Sequence, residues 1–583
     1  KDGTYSFNVS GSSLNRFRAD VFGKSSADDL EYDKDTGIDE ANATAEQIME
    51  YLMGKDNFGI SSKYDGDLAY RIVVVRYAML GNRFARYKEV KIAADVSDKT
   101  VAYVNEHMDT LSGISVNEDM IRKYNYSEYF SSIIGYTGPI SESEYTALHK
   151  KNKDYTQNDT VGKAGMEQYY ETYLRGKNGE RKFYIDNVGR ISEIISSTDS
   201  VAGDDLYLSI DADLQMATYL ALQNEIAAIV YSNIKSGEIP INDVYTALIG
   251  NSVINTEHFS KSKASDTEKS VLSVFKSRQK TTLGKIKQEL TNSPEALNTM
   301  SDEVLDEFTY IISMLKDDQV LLKNEIDTSD SVYQKWKDQK ISPKEYLNYC
   351  ITQHWIDISQ LNVDEKYADS TEVYDALCKY ILKNIKTDTE FSKIIYQYMI
   401  TRGEISPRQL CLILFDQGVL DYDDATVNKL KNGSLSPRDF LMKKIYNIEI
   451  TPAQLALEPC TGSCVVTDEK TGEIRAMVSY PGYNSNKLAN GVDSEYFASL
   501  QHDKSSPLLN YATQQKTAPG STFKLVSATA GLVENVITTS DQIRCTGIYN
   551  DISNKPKCWI YPGSHGLDNV SEAIRDSCNV FFY

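Results

Sequence analysis

A serine and a lysine, Ser521 and Lys524, have the types and spacing that nucleophilic catalysis requires. In "APGSTFKLVSA", the turn signal Pro519–Gly520 precedes a stretch with no helix breaker before Gly531, which predicts a helix beginning near Ser521. Residues i and i+3 share a helix face, and the helix N-terminus favours developing negative charge. A serine needs an adjacent base to become a nucleophile, and a lysine with a pKa lowered by burial can be that base. The ordinary alternative is a serine N-cap followed by a solvated lysine.

A second polar pair follows in "RDSCNVFFY", where Ser577 and Asn579 flank Cys578. Serine and asparagine at such a spacing are by themselves more often turn or capping residues than catalytic ones. The flanking "NVFFY", together with the upstream Ser-x-x-Lys, favours a site that uses both pairs. His565, in "SHGLD", is a further candidate general base, for which a direct catalytic role is the less favoured interpretation.

The composition indicates a globular protein of several domains. The 583 residues exceed what one hydrophobic core accommodates, and 41% are hydrophobic and 25% charged. The net charge of −21 argues against nucleic acid as a partner, because phosphate binding needs a basic surface. No stretch of about 18 apolar residues occurs, so no transmembrane helix is predicted. The chain starts at Lys1 rather than at a methionine, from which we expect a fragment of a longer protein.

The eight cysteines predict neither a disulfide scaffold nor a metal site. They are few for the length of the chain, no Cys-x-x-Cys or His-Glu-x-x-His occurs, and the six histidines are scattered. We therefore expect no metal and no cofactor, and mostly buried thiols. One or two disulfides are expected if the compartment is oxidising, with Cys460/Cys464 and Cys545/Cys558 as the open candidates.

Residues 231–447 have the texture of an all-helical domain. They hold only 6 of the 32 glycines, and Ser-Pro or Thr-Pro pairs recur within and just after them. Serine at the N-cap with proline next predicts a helix start, and a Glu or Gln three residues on completes a capping box. The pairs begin at Ser293, Ser342, Ser406, Ser436 and Thr451, and Glu345, Gln409 and Gln454 fit the box. We expect about eight to ten short helices.

The motifs together resemble those of the class B penicillin-binding proteins, which are peptidoglycan D,D-transpeptidases. "APGSTFK" resembles the nucleophile motif of that family and "SCNVFFY" its second motif. "KCWIYPGSHGLDNVSEAIRDSCN" resembles the stretch that leads into the second motif, "TGEIRAMVSYPGYNSN" the first hairpin of the transpeptidase domain, and "VGKAGMEQYYETYLRGKNG" the end of the N-terminal domain.

The resemblance implies a multidomain α+β fold. Residues 1–203 are expected to form an elongated N-terminal pedestal of the dimerisation type. Residues 204–230 would begin the transpeptidase domain, an antiparallel sheet flanked by helices, and residues 448–583 would continue it. The helical block 231–447 departs from the family pattern and is expected to be a large insertion.

The resemblance also implies a mechanism and partners. Ser521 attacks the carbonyl between the two terminal D-alanines of a stem peptide, and Lys524 accepts its proton. Ser577 relays a proton toward the leaving amine, while Asn579 holds the substrate amide and helps to place Lys524. β-Lactams acylate the same serine. A membrane glycan polymerase is the expected protein partner, and a single-pass anchor outside this chain is expected to hold the protein on the extracytoplasmic face of the cell membrane.

The third motif of the family, Lys-Thr-Gly or Lys-Ser-Gly on a strand, has no counterpart downstream of Asn579. Lys470–Thr471–Gly472 matches it in letters only, because it precedes Ser521 and falls in a predicted hairpin turn. We expect the true motif beyond Tyr583. We also expect the 583 residues alone to be poorly folded in their last third and to react weakly with penicillins.

Two alternative functions remain open at this point. One is a β-lactam sensor or β-lactamase-like hydrolase with the same Ser-x-x-Lys, against which the long pedestal argues. The other is a largely non-catalytic scaffold that activates a membrane glycan polymerase. Slow release of the acyl group distinguishes a transpeptidase from a hydrolase.

Overall fold

The chain divides into two units, Lys1–Ala512 and Thr513–Tyr583. A computed structural model describes residue 5 and residues 11–583, except 35, 65, 82–88, 112, 118–119, 158, 186–190, 293–294, 362 and 364–368. Within the described residues, the strands pair as five two-stranded antiparallel sheets. The wider antiparallel sheet that the resemblance implies for the transpeptidase domain stays a prediction.

The N-terminal part of the first unit mixes helices with short strand pairs. Its helices are α1 (Gly11–Phe22), α2 (Ala45–Met53), α3 (Gly66–Gly81), α4 (Asp98–Glu106), α5 (Ser127–Ile134), α6 (Glu142–Lys151), α7 (Gly165–Tyr169) and α8 (Glu171–Leu174). Its strands are β1 (Tyr32–Asp33), β2 (Ile38–Asp39), β3 (Thr137–Pro139), β4 (Thr160–Gly162), β5 (Glu180–Ile185) and β6 (Ile191–Thr198). They pair as β1–β2, β3–β4 and β5–β6.

A run of helices follows. They are α9 (Ala212–Ser236), α10 (Ile241–Gly250), α11 (Asp266–Asn292), α12 (Asp302–Asp317), α13 (Ser331–Lys337), α14 (Pro343–Thr352), α15 (Ser370–Ile385), α16 (Thr389–Thr401), α17 (Pro407–Asp416), α18 (Asp424–Asn432), α19 (Pro437–Tyr446) and α20 (Pro452–Leu455). Among the described residues of 231–447, ten α-helices, α10 to α19, lie wholly inside the block, in agreement with the predicted helical texture.

The predicted Ser-Pro helix starts are confirmed where the structure describes them. Ser406 and Thr451 form complete capping boxes with the third helical residue, and each is followed by proline at the first helical position. Ser436 caps α19 in the same way through the Asp439 N–H. At Ser342 the structure shows the serine half of the box, with Oγ accepting the Glu345 N–H at 3.1 Å. The Ser293–Pro294 pair lies outside the described residues.

The largest hydrophobic core lies inside this helical run, drawing on residues from Val230 to Leu455. Aromatic rings stack within it, as where the ring centroids of Trp336 and Tyr346 lie 4.5 Å apart. The amphipathic pattern of the helices is thus satisfied by mutual packing, which supplies most of the stability of helices in proteins.

A buried carboxyl group lies in the same core. Glu307 of α12 is 2% exposed. Burial first, and then the negative charge of the neighbouring Glu303, raise the pKa of Glu307 to about 8. Glu303 itself is paired with the guanidinium groups of Arg278 and Arg402, whereas Oε1 of Glu307 has no hydrogen-bond partner among the described residues.

Helix α9 connects the helical core to the hairpin β7 (Gly462–Thr467) and β8 (Ile474–Tyr480). Gln215 donates from Nε2 to the Met477 carbonyl at 3.0 Å and accepts the Met477 N–H at 2.8 Å, so it extends the edge of the hairpin. Farther along α9, Val230 belongs to the helical core. Helices α21 (Ser494–His502) and α22 (Tyr511–Gln514) follow. None of the helices in the described ranges is both long and apolar enough to cross a membrane.

The second unit contains the predicted motifs. Its elements are a 3₁₀ turn (Gly520–Phe523), α23 (Lys524–Val533), β9 (Ile543–Cys545), β10 (Gly566–Asp568), α24 (Val570–Arg575) and α25 (Asn579–Phe582). Strand β9 pairs with β10, with Cys545 opposite Gly566. A small core that includes Ala528, Ala573 and Phe581 connects α23 with α24 and α25. The apolar side chains of Phe523, Leu525 and Val526 at the start of α23 are each more than half exposed.

Candidate active site

Ser521 lies in a 3₁₀ turn that leads directly into α23. The predicted helix therefore starts as one tighter turn, and Lys524 is the first residue of its α-helical part. Gly520 precedes Ser521 with φ +57°, a conformation that residues with a Cβ adopt only with strain. Ser521 is exposed and Lys524 is half-buried. The sequence "PGS" thus places the Ser521 hydroxyl at an exposed turn, while the Lys524 side chain one turn later is half-buried.

Ser577 is placed by the helix before it. Asn569 and Glu572 form a complete capping box at the start of α24. The helix closes with the Ser577 N–H donating to the Ile574 carbonyl at 3.1 Å and the Cys578 N–H donating to the Ala573 carbonyl at 2.9 Å. Ser577 adopts φ +48°, in the left-handed region, which is costly for a residue with a side chain. Such strained residues concentrate at functional sites, where the surrounding structure holds them.

The four predicted site residues form one hydrogen-bond network. Lys524 Nζ donates to the Ser577 carbonyl at 2.7 Å, to Ser577 Oγ at 3.1 Å and to Asn579 Oδ1 at 2.7 Å. Ser577 Oγ in turn donates to Ser521 Oγ at 3.0 Å. The hydrogen-bonded path from Ser521 to Lys524 therefore passes through the hydroxyl of Ser577. The network can move a proton from one serine to the lysine through the other serine.

Lys524 has the electrostatics of a lysine that can accept a proton. Burial lowers the pKa of its ammonium group below the usual lysine value, whereas negative charge at the thiols of Cys558 and Cys578 acts in the opposite direction. The ammonium is nevertheless well solvated by protein acceptors, because it donates to three oxygen atoms. The amine form can accept the proton of Ser577 Oγ, and that oxygen in turn can take the proton of Ser521 Oγ.

Asn579 is oriented by contacts from the preceding loop. Its Nδ2 donates to the Lys557 carbonyl at 3.2 Å, and its backbone N–H points to Cys558 Sγ at 3.4 Å. With the amide nitrogen held in this way, the amide oxygen faces Lys524. The loop of residues 557–559 therefore supports the second motif, and Trp559 adds a bond from Nε1 to the Asp576 carbonyl at 2.9 Å.

Two further sequence candidates lie elsewhere. Lys470, Thr471 and Gly472 form the turn between β7 and β8, where Asp468 Oδ1 accepts the N–H groups of Lys470 and Thr471. This agrees with the expectation of a hairpin turn. His565 faces Cys558, with Nδ1 3.6 Å from Sγ. The hydrogen bonds of Ser521 and Lys524 in the described part of the chain do not include His565.

A second constellation was not expected from the sequence. Cys545, Cys558, His565 and Cys578 come together with their ligand-type atoms within 4.8 Å of one another. Their spacing matches no short metal motif, which is why the sequence predicted no metal site. The available signal was their density, since three of the eight cysteines and one of the six histidines fall within 545–578. All eight cysteines are free thiols in the structure.

Two family profiles match the chain. The penicillin-binding protein dimerisation domain matches residues 23–208, and the penicillin-binding protein transpeptidase domain matches residues 462–583. The second matched segment contains all four residues of the network described above.

Individual relatives match shorter parts. The peptidoglycan D,D-transpeptidase MrdA of Salmonella typhimurium is 28% identical over 157 residues, which are 27% of this chain and 25% of that protein. MrdA of Haemophilus influenzae is 36% identical over 124 residues, 21% of this chain and 19% of that protein. A solved structure of the penicillin-binding protein PBP2 from Helicobacter pylori is 32% identical, covers 21% of this chain and 23% of that chain, and has a TM-score of 0.20. The chain thus spans about a quarter of the length of the first of these curated relatives.

Proposed function

We propose that this chain, which belongs to the class B penicillin-binding proteins, carries the nucleophile half of a peptidoglycan D,D-transpeptidase site. The observation that supports this most directly is the chain of hydrogen bonds Ser521–Ser577–Lys524–Asn579. It joins the hydroxyl of an exposed serine to a lysine whose pKa is lowered by burial. That combination is what nucleophilic catalysis by serine requires.

The proposed reaction is acyl transfer through Ser521. Its hydroxyl attacks the carbonyl carbon of the peptide bond between the terminal D-alanines of a stem peptide. The hydroxyl proton passes to Ser577, and the Ser577 proton passes to neutral Lys524. The tetrahedral intermediate collapses, the terminal D-alanine leaves with a proton returned along the same path, and an ester on Ser521 remains. An amine of a neighbouring stem peptide then attacks the ester and forms the cross-link.

Asn579 and the Ser521 backbone have supporting roles in this proposal. Asn579 fixes Lys524 through Oδ1, and it holds the amide of the bound peptide. The backbone N–H of Ser521 is one donor for the oxyanion that forms on the attacked carbonyl. A β-lactam enters the same reaction because its strained amide presents a carbonyl to the same hydroxyl.

Mass spectrometry of the penicillin adduct tests this proposal. The full-length protein is treated with benzylpenicillin, digested and searched for the acylated peptide. We expect the adduct on Ser521, and Ser521→Ala is expected to abolish it, while Ser527→Ala, a serine on the same helix outside the network, serves as the control. An adduct on Ser577 or on any other serine would overturn the assignment.

The lifetime of that adduct separates the proposed reaction from the alternatives. A transpeptidase is expected to hold the penicilloyl group for a long time in water, whereas a hydrolase releases it within the time of the assay. Rapid release would indicate a β-lactamase-like enzyme. Absence of any adduct on a folded protein would indicate a non-catalytic scaffold.

We also propose the finer domain division. Residues 1–203 would be the pedestal, residues 204–230 and 448–583 the transpeptidase domain, and residues 231–447 an inserted helical domain. The ends of the insertion lie close together, since the rings of Tyr231 and Tyr446 have centroids 5.2 Å apart. Neighbouring ends are what a domain inserted into another fold requires.

Excision of the block tests this division. A chain in which residues 232–445 are replaced by a short glycine–serine linker is expected to remain soluble and to keep the Gln215–Met477 contact region protected from hydrogen exchange. Loss of soluble protein would argue that the block is part of the main core, because α9 takes part in both regions.

The partners and the location follow from the proposed substrate. Peptidoglycan stem peptides and β-lactams are the small-molecule partners, and a membrane glycan polymerase is the proposed protein partner. The site is proposed to act on the extracytoplasmic face of the cell membrane, where stem peptides are cross-linked. Nucleic acid is not proposed, in keeping with the net charge of −21.

A further inference from the structure

Three cysteines and one histidine form a cluster that includes Cys578, the residue between Ser577 and Asn579. Cys545, Cys558 and Cys578 are buried and His565 is half-buried. One ligand-type atom from each lies within 4.8 Å of every other. The distance from Cys558 Sγ to His565 Nδ1 is 3.6 Å. Nε2 of His565 is buried and has no hydrogen-bond partner in the described part of the protein.

These separations fit four ligands around one tetrahedral ion. Zn–S and Zn–N bonds of about 2.3 Å and 2.0 Å place the S and N atoms of one site about 3.5 Å apart, and two S atoms about 3.8 Å apart. The observed 3.6 Å from Cys558 Sγ to His565 Nδ1 agrees with the first value. The other separations, which are at most 4.8 Å, would need to contract by no more than about 1 Å to reach coordination distances.

A disulfide explains the cluster less well than an ion. A disulfide uses two sulfur atoms about 2.05 Å apart and has no role for a third cysteine or for an imidazole. Here three sulfur atoms and one ring nitrogen converge on one another. Three thiolates and one imidazole are a regular ligand set of structural zinc sites.

The backbone holds each ligand independently of any ion. Cys545 ends β9 opposite Gly566, which directly follows His565. The Cys558 N–H donates to the Gly547 carbonyl at 2.9 Å. Gly547 has φ +80°, and a Cβ there would lie 2.2 Å from the Gly563 carbonyl oxygen, so only glycine permits the two loops to approach. The fold of these loops therefore fixes the positions of the cluster residues.

We propose that Cys545, Cys558, His565 and Cys578 bind one zinc ion in a closed, tetrahedral, structural site. Binding converts the three thiols to thiolates and releases their protons, and the neutral imidazole donates a ring nitrogen. All four positions are filled by the protein, so the ion offers no place for substrate. The ion joins β9, the 557–559 loop and the segment that follows α24.

The position of Cys578 gives the ion a second effect, which rests on the proposed function. Cys578 lies between Ser577 and Asn579, and the Asn579 N–H points to Cys558 Sγ. A metal bond at Cys578 thus fixes the residues on each side of it, both of which bond to Lys524. In this arrangement the ion stabilises the hydrogen-bond network indirectly, through the backbone of residues 577–579. This indirect stabilisation is called bracing below.

Metal analysis of the full-length protein tests the binding. The protein is purified with zinc in the medium, passed through a desalting column and measured by inductively coupled plasma mass spectrometry. We expect about one zinc per chain, the stoichiometry of a closed structural site. Changing a residue that only orients a metal ligand costs about 10–100-fold in metal affinity, so Cys545→Ser and His565→Gln, which each remove a ligand, should lower zinc retention at least that much. Cys464→Ser, at a half-exposed cysteine of β7, is the matched control and should retain the ion.

Cobalt substitution tests the geometry without relying on activity. Protein refilled with Co²⁺ is expected to show thiolate-to-cobalt charge-transfer absorption and the intense visible bands of tetrahedral cobalt, both lost in Cys558→Ser. Zinc retention by Cys545→Ser or His565→Gln at the wild-type level would overturn the proposal. So would a wild-type protein without stoichiometric zinc, one with iron or copper as the retained ion, or one whose mass spectrum shows a disulfide among these cysteines.

The bracing effect has its own measurement. Removal of zinc by a chelator is expected to increase hydrogen exchange in residues 574–579 and to slow penicillin acylation, and added zinc should restore both. If added zinc restores the exchange protection but the protein is not acylated with or without zinc, the proposed function alone has failed. Unchanged exchange after complete zinc removal would overturn the bracing.

Discussion

Replacing Ser577 by glycine separates the contribution of its hydroxyl from the cost of its backbone conformation. Ser577 adopts φ +48°. Its Oγ lies between Lys524 Nζ at 3.1 Å and Ser521 Oγ at 3.0 Å. Ser577→Gly and Ser577→Ala both remove this hydroxyl and both keep the backbone carbonyl that Lys524 Nζ donates to at 2.7 Å. They differ only in the Cβ, which glycine lacks.

The expected stability difference between the two variants follows from the left-handed backbone. A residue with a Cβ pays about 1–2 kcal/mol for that conformation. Glycine avoids this cost but loses about 0.5–1 kcal/mol more conformational entropy on folding. Ser577→Gly is therefore expected to be more stable than Ser577→Ala by about 1 kcal/mol. The lost hydroxyl contacts are common to both variants and cancel in the comparison.

The expected loss of reactivity is the same in both variants. Without Oγ, the hydrogen-bonded path from Ser521 to Lys524 is broken, and a positioned proton-transfer group contributes about 10²–10⁴-fold to rate. Lys524 keeps two of its three acceptors, the Ser577 carbonyl and Asn579 Oδ1, so its position should change little. Both variants should thus acylate about 10²–10⁴ times more slowly than the parent protein.

Two measurements on the full-length protein check this reasoning. Acylation is followed with a fluorescent penicillin in stopped-flow or gel format. Stability is followed by hydrogen exchange of α24 and α25 in a denaturant series. Wild-type acylation by Ser577→Gly would refute the relay through Ser577. A glycine variant less stable than the alanine variant would refute the argument from backbone strain.

Three further predictions concern other residues. Lys524→Ala should slow acylation by about 10²–10⁴-fold; since burial lowers the pKa of Lys524, the parent rate should rise with pH through a value below that of an ordinary lysine, and the variant should lack this rise. Burial raises the pKa of Glu307 from 4.5 to about 8. Between these values the carboxyl group is ionised in the unfolded chain and protonated in the folded one, so the fold loses stability as the pH rises from about 4.5 to about 8. The unfolding free energy of Glu307→Gln, measured by denaturant titration, should therefore exceed that of the parent by about 1–3 kcal/mol more at pH 8 than at pH 5. An equal difference at both pH values would contradict this prediction. Asn569→Ala removes the cap of α24 and should cost about 1 kcal/mol in the exchange stability of that helix, with Asn554→Ala, at an exposed asparagine between β9 and β10, as a control expected to be neutral there.

Much of the local structure was predictable because its causes lie within a few residues. Ser406 and Thr451 are followed by proline and by glutamine three residues later, and both start helices with complete capping boxes. Asp468 and Gly472 lie in the turn of the hairpin β7–β8, where the Gly472 N–H donates to the Asp468 carbonyl. In each case the side chain that satisfies the backbone is a near neighbour of the backbone it satisfies.

Contacts between residues far apart in the chain were harder to predict from the sequence. The sequence predicted a separate helical block from residue 231, yet α9 runs without a break from Ala212 to Ser236 and contributes to two cores. The division into domains stays a prediction. Helical periodicity shows which face of α9 is apolar, but it does not show that one part of that face packs on a hairpin and another on helices.

The residues that could do chemistry were recognisable in the sequence: a serine and a lysine three residues apart, a Ser-x-Asn downstream, and the helix starts and turns around them. Two arrangements emerged only from the folded chain. The Ser577 hydroxyl lies between Ser521 and Lys524, and Cys545, Cys558, His565 and Cys578 come together in one cluster. Both arrangements join residues that are far apart in the chain. Their distances depend on how β9, β10 and the loops between them fold back, which no local pattern specifies.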